Sequence, residues 1–306
     1  MDKRLAAVVD AVGSVLLGKQ RQVQLAVACL IAGGHLLIED LPGMGKTLLA
    51  HALARALGLS FNRVQFTSDL LPADILGVSV FDRANDTFRF HPGPIFSQLL
   101  MADEINRTTP KTQSALLEAM EEGQVTTDGE TRLLPKPFFV IATQNPAFQT
   151  GTYPLPESQL DRFLMRIEIG FPTADAEREI MRGADRRQLI AQITPQLSAA
   201  GLLALCAEAE RIKTSDALID YVFRLVQHTR RSGEFGFGLS PRGSLAMLRS
   251  AKAWALLHGR PHVLPEDVQA VLPAVVEHRL RGSVELGGRD GETQARRLLT
   301  QVDVIN

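Results

Sequence analysis

The chain has 306 residues, about twice the length of an ordinary single domain, which predicts two domains or one large core with an appendage. Apolar residues make up 45% and charged residues 22%, enough to bury a core and to exclude wholesale disorder. Thirty-three Lys plus Arg against 34 Asp plus Glu leave a formal charge of −1, which argues against nucleic acid as the main partner.

The N-terminal run Leu5–Leu17 follows Lys3 and Arg4, but Asp10 interrupts it and no small-residue cleavage site follows. Leu25–Gly34 is far short of the ~20 apolar residues of a membrane helix. The expectation is therefore a cytoplasmic protein with no stable membrane insertion. Cys29 and Cys206 each sit in an apolar run and are expected as buried thiols rather than a disulfide or zinc site.

In chain order, residues 20–33 predict a helix and His35–Glu39 a buried strand that ends in a Pro/Gly loop. Thr47–Leu57 predicts a helix stopped by Gly58, and Asn62–Phe66, Leu99–Ala102 and Phe138–Ala142 predict further strands. Strands separated by helical segments imply a parallel sheet with helices on both faces. Two segments break the alternation as hairpins: 78–90 across Asn85-Asp86, and 124–133 across Asp128-Gly129. Beyond Phe171-Pro172 the periodicity is helical (174–191, 197–211, 215–231, 241–258, 265–280). The fold class expected is an α/β core over residues 1–172 followed by a smaller all-α domain over 173–306.

Gly43-Met44-Gly45-Lys46-Thr47 lies between the first strand and its helix, the context a phosphate-binding loop requires. Glycines let backbone N–H groups converge on phosphate oxygens, Lys46 supplies charge for the β/γ-phosphates, Thr47 holds Mg²⁺, and the helix N-terminus adds attraction. Pro42, Met44 and Leu48 complete the candidate nucleotide contacts. The full pattern asks for Gly where this chain has Asp40, with Pro42-Gly43 taking over the turn. Leu99–Ala102 runs into Asp103 and Glu104; the first suits Mg²⁺ and the second suits orienting or activating a water for attack on the γ-phosphate. Asn145 ends the next apolar strand, where its amide reaches both γ-phosphate and water. Arg162 follows Asp161, and Arg242 follows Ser240-Pro241 at a helix start; both are candidates to stabilise phosphoryl-transfer charge, Arg242 by leaning over bound phosphates. Glu118, Glu121 and Glu122 read as a solvated helix face.

This ordered set of phosphate loop, Asp-Glu strand, Asn strand, Leu160-Asp161-Arg162-Phe163 and Ser240-Pro241-Arg242 closely resembles the AAA+ ATPases. The stretches Met101–Arg107, Pro110–Glu118 and Gly151–Glu157 are similar to the MoxR family in particular, and the resemblance runs from about residue 10 to 280. It implies a P-loop AAA+ core with an all-α lid, a hexamer, and ATP with Mg²⁺ bound between protomers. By match, Lys46 and Thr47 belong to Walker A, Asp103 and Glu104 to Walker B, and Asn145 is sensor 1. Arg162 matches the arginine finger supplied in trans, with Arg166 the other candidate, and Arg242 matches sensor 2. Gly18 aligns with the segment against the adenine, where Lys19 stands in place of the more usual glutamine. The hairpins at 78–90 and 124–134 match the helix-2 insert and the pre-sensor hairpin. The resemblance further implies a chaperone that uses ATP to remodel or activate client proteins, often in metal-cofactor insertion, with partners carrying von Willebrand factor A domains. The alternatives are a nucleotide-gated binding module, which the Asp40 departure permits, and the motor subunit of a metal chelatase.

Overall fold

A computed structural model describes residues 1–145, 152–183, 186–236, 238–280 and 293–304, with only the backbone of Arg187. Gly151 of the expected motifs, and residues 184 and 185 of the expected helix 174–191, lie outside the described residues.

The chain opens with α1 (Lys3–Gly13), α2 (Gln20–Ile31), β1 (Leu36–Glu39), α3 (Lys46–Ala56), β2 (Phe61–Gln65) and α4 (Pro72–Leu76). The hairpin β3–β4 (Gly77–Asp82, Thr87–Pro92) precedes β5 (Leu99–Asp103) and α5 (Pro110–Glu122). A second hairpin, β6–β7 (Gln124–Thr127, Glu130–Leu133), precedes β8 (Phe139–Gln144), α6 (Glu157–Leu160) and β9 (Met165–Ile167). From there the described elements are helices: α7 (Ala174–Arg182), α8 (Arg186–Gln192), α9 (Ala199–Glu210), α10 (Asp216–Arg231), α11 (Pro241–Leu257), α12 (Pro265–Val276) and α13 (Gln294–Gln301).

Five strands pair in the order β2-β5-β8-β1-β9, every pair parallel. The short apolar runs of the three inner strands β5, β8 and β1 are buried on both faces, as a parallel sheet demands. Leu36, Ile38, Leu99, Met101, Phe139 and Ile141 point into one core; Leu37, Leu100, Ala102, Val140 and Ala142 point into the other. The first core runs without a break from α1, α2 and α3 into α9 and α11, so the C-terminal helices close over the sheet through Leu202, Leu205, Met247 and Trp254.

The four strands expected from the sequence are present, and β9 is an addition. It is only three residues long, with an arginine between Met165 and Ile167, too short for any periodicity to register. Arg166, the other candidate arginine, therefore lies within an edge strand. There its guanidinium pairs with Glu39 of β1 at 2.6 Å and Glu168 at 2.6 Å. Both hairpins form, and Asp128 and Gly129 hold φ of +54° and +78°, the left-handed pair a two-residue turn needs.

His35 ties three elements together. Its Nδ1 accepts the Val140 N–H at 2.9 Å and its Nε2 faces the Met120 carbonyl at 3.2 Å, a pair of roles that only the neutral ring with its proton on Nε2 fills. Burial pushes its pKa down from 6.5 to about 4. Since the unfolded chain takes up this proton and the folded chain does not, stability is intact above pH ~6.5 and falls as pH drops toward 4, by up to about 3 kcal/mol. Denaturant unfolding at pH 7 and pH 5 is expected to show a larger acid loss for the wild type than for His35→Gln; equal losses would remove His35 as the cause.

Candidate functional site

The C-terminal ends of β1, β5 and β8, adjacent in the sheet, carry the loop, the acid pair and the asparagine, and this is the edge of an open α/β sheet where ligands are held. Of the expected residues, Pro42, Gly43, Gly45, Lys46, Thr47, Leu48, Asp103, Glu104 and Asn145 line one cavity of about 820 Å³. Ile180, Gly183, Arg186 and Ile190, from α7, α8 and the turn between them, form its other wall.

Gly43 and Gly45 adopt φ of +86° and +90°, which an L side chain resists. A Cβ at Gly43 would meet nothing within 4 Å, so the loop backbone is open to the cavity. Lys46 is 7% exposed, and burial pulls its pKa below the ordinary lysine value while the carboxylates of Asp103, Asp40 and Glu104 oppose the shift. Its Nζ donates to the Asp40 carbonyl at 2.6 Å and to Asn145 Oδ1 at 3.1 Å. Asn145 in turn donates Nδ2 to Glu104 Oε1 at 2.9 Å, so one amide bridges the lysine and the acid. The open glycine loop with its buried ammonium fits a polyphosphate. The hydroxyl of Thr47 and the carboxylate of Asp103 on the same cavity are the hard oxygen donors a Mg²⁺ ion takes.

Glu104 has φ +57° and ψ +48°, a left-handed conformation that costs a non-glycine residue about 1–2 kcal/mol. Its side chain lines the cavity. Three donors hold its carboxylate, Gln65 Nε2 (3.0 Å) and Arg107 Nε (3.0 Å) on Oε2 and Asn145 Nδ2 on Oε1, and its own N–H donates to Thr143 Oγ1 (2.8 Å). The Thr143 hydroxyl donates to Asp103 Oδ1 at 2.5 Å. Sequence reading missed Arg63, Gln65, Arg107 and Thr143. The available signal was a pair of polar residues two apart on β2, the strand beside the acid pair.

Asp40 has a structural task. Its Oδ2 accepts the N–H groups of Ile169 (2.8 Å) and Gly170 (2.6 Å), and its Oδ1 accepts the Leu41 N–H at 2.7 Å. A glycine at this position would leave the backbone beyond β9 untied. The adjoining Lys19 donates Nζ to the Phe171 carbonyl at 2.5 Å, which fastens the same exit from the other side.

Four expected residues sit away from the cavity wall. Met44 packs on the first core. Gly18 backs onto α7, where a Cβ would meet Ala176 Cβ at 3.0 Å, and its neighbour Leu16 touches the position a Cβ at Gly45 would take. Arg162 and Arg242 line a different cavity of about 520 Å³, together with His35, Arg249 and Arg279. In this arrangement Arg242 therefore does not lean over its own chain's phosphate loop. Arg162 Nη1 pairs with Glu121 Oε2 at 2.7 Å and Arg242 pairs with Glu121 Oε1. Glu121 is thus no solvated bystander: one carboxylate joins two arginines.

The loop beneath them is fixed to the lid helices. Asp161 Oδ1 pairs with Arg279 Nε at 2.7 Å and Oδ2 accepts from Ser240 Oγ at 2.9 Å, while Arg279 also donates to the carbonyls of Phe163 and Leu164. Arg279 is 4% exposed, and burial lowers its pKa while Asp161 opposes the shift. The start of α11 and the segment after α12 thus grip the residues on either side of Arg162.

Comparison with known proteins agrees with this geometry. The profile of the ATPase family associated with various cellular activities (AAA) matches residues 35–165, and that of the AAA lid domain matches residues 227–299. Uncharacterized protein YeaC of Bacillus subtilis is 43% identical over 98% of this chain and 94% of its own length. Chaperone MoxR1 of Mycobacterium tuberculosis is 41% identical over 87% of this chain and 72% of its own. The crystal structure of a candidate ATPase from Cytophaga hutchinsonii superposes with a TM-score of 0.88 at 36% identity, over 98% of this chain and 94% of that one.

Proposed function

The chain belongs to the MoxR family of AAA+ ATPases, and from that premise we propose that it hydrolyses ATP, with Mg²⁺, to remodel or activate partner proteins. The observation that carries the proposal is the Asn145 amide held between Lys46 Nζ and Glu104 Oε1 on the wall of the loop cavity. That bridge puts the γ-phosphate charge partner, a water-orienting amide and a carboxylate in one line.

In this reading the N–H groups of the glycine loop and the N-terminus of α3 cradle the phosphates, and Lys46 leaves Asn145 to meet the β/γ-oxygens. Thr47 and Asp103 would hold Mg²⁺, which would supply charge neutralisation for the phosphoryl group. Asn145 positions the attacking water, and Glu104 takes its proton once released from Gln65 and Arg107. The apolar wall of Ile180 and Ile190 with Leu48 receives the base, and Gly18 keeps the preceding turn close behind it.

Arg162 acts in trans. Its tie to Glu121 on a face distinct from its own loop cavity supports service to the phosphate of a neighbouring protomer in a hexamer. Arg242 shares that face and acts with it; Arg166, paired with Glu39 and Glu168, does not. We place the division between core and lid near residue 172, and nucleotide state moves the lid through Asp161 and Arg279. The client protein is engaged in the cytoplasm, with a partner carrying a von Willebrand factor A domain and metal-cofactor insertion as one outcome. No described helix is long and apolar enough to cross a membrane.

The reading is tested by phosphate release from ATP and Mg²⁺, with Lys46→Ala as the comparison. Release is expected from the wild type, with loss of both nucleotide binding and release in the variant. A Lys46→Ala protein that binds and hydrolyses ATP normally would remove the loop from the mechanism.

A further inference from the structure

Asp103 is a buried carboxylate, its side chain 9% exposed, and a buried charge must be matched or it is costly to hold. The nearby cation Lys46 acts on it only through space, because its Nζ donates to the Asp40 carbonyl and Asn145 Oδ1. The match comes from Arg63 on the edge strand β2. Arg63 Nε and Nη2 both converge on Asp103 Oδ2, at 3.1 Å and 2.5 Å, while Oδ1 takes the Thr143 hydroxyl at 2.5 Å. The two carboxylate oxygens are therefore divided. One is fixed by a neutral hydroxyl, and the other, which remains for a cation, is held by a guanidinium. Arg63 also lines the cavity that Thr47 and Asp103 share, and its side chain is 46% exposed, so it has solvent to move into.

We propose that Arg63 is a placeholder for the divalent cation: it neutralises Asp103 while no metal is bound, competes with Mg²⁺ for Oδ2, and withdraws when the metal arrives. The inference rests on the cavity being a nucleotide-and-metal site. A guanidinium and a divalent cation on one carboxylate oxygen repel each other strongly in a partly buried site, so displacing the arginine weighs on metal affinity. Metal-free nucleotide meets a neutralised Asp103 and is not repelled by it. Arg63 thus loosens the metal-bound form and favours the metal-free form, which narrows the difference between them. A lysine would keep the charge but lose the two-pronged grip; glutamine would lose both.

The test uses the full chain, with ADP as nucleotide and Mn²⁺ as metal. ADP binding is measured in EDTA by fluorescence competition, and Mn²⁺ binding to the ADP complex is measured by loss of the free-ion electron paramagnetic resonance signal. Arg63→Gln is expected to bind Mn²⁺ about tenfold more tightly than the wild type and to bind metal-free ADP more weakly, while Arg63→Lys falls between the two. ADP binding in EDTA reports that each variant is folded, and Arg63→Met serves in place of Arg63→Gln should the latter not fold. Mn²⁺ affinity unchanged or weakened in Arg63→Gln, with ADP bound, would overturn the proposal and leave the nucleotide site standing. Absence of ADP binding in the wild type itself would instead overturn the nucleotide-site reading on which it rests.

Discussion

Glu104→Gln is expected to bind ATP as the wild type does and to hydrolyse it about 10²–10⁴-fold more slowly, the span typical for loss of a positioned general base. Gln keeps the oxygen that accepts from Asn145 Nδ2 and the residue's left-handed backbone, so the cavity is preserved and the effect falls on proton transfer. The split matters more than the size. Unchanged hydrolysis with intact binding would take Glu104 out of the chemistry, while loss of binding would make it part of the cradle. Single-turnover phosphate release beside equilibrium ATP binding separates the two.

Arg162→Ala has the second large effect, a fall of about 10³–10⁵ in turnover where an arginine stabilises transferring phosphoryl charge. Its location makes a sharper experiment available. Arg162→Ala retains a complete loop cavity, and Lys46→Ala retains a complete arginine face. Each alone is expected to be inactive, and a mixture to regain part of the wild-type rate, because a site between unlike neighbours has its loop from one and its arginine from the other. A mixture that assembles yet stays inactive would place Arg162 outside the neighbour's site. Removing Glu121 would not reproduce this pattern, since its carboxylate only joins Arg162 to Arg242.

The sheet was legible in the sequence wherever strands are short apolar runs buried on both faces, as at Leu36–Ile38 and Leu99–Ala102. β9 was not, because three residues with a central arginine carry no period and its pairing with β1 is decided by distant contacts. The residues that share the loop cavity were legible because a phosphate loop needs glycines and a lysine in sequence, and because acids and amides at strand ends converge in a parallel sheet. Their partners were not. Arg63 and Gln65 look like the exposed face of an edge strand, and only the register of β2 on β5 brings them to Asp103 and Glu104. Helical spacing placed Glu121 on a polar face, but not that Arg162 and the start of α11 close on it. Asp40 departed from the glycine pattern for a reason that lies 129 residues later, at the N–H of Ile169. The position of Arg242 at the start of α11, capped by Ser240, was readable; its direction depends on how α11 docks over the sheet.

The central claim is an ATPase completed by its neighbour, and it is met most directly by ATP hydrolysis measured against protein concentration beside the particle mass with and without ATP and Mg²⁺. Hydrolysis per chain that climbs with concentration, in step with a nucleotide-dependent hexamer, is the result predicted. A monomer that binds ATP and turns it over at a constant rate per chain, or never, would contradict it.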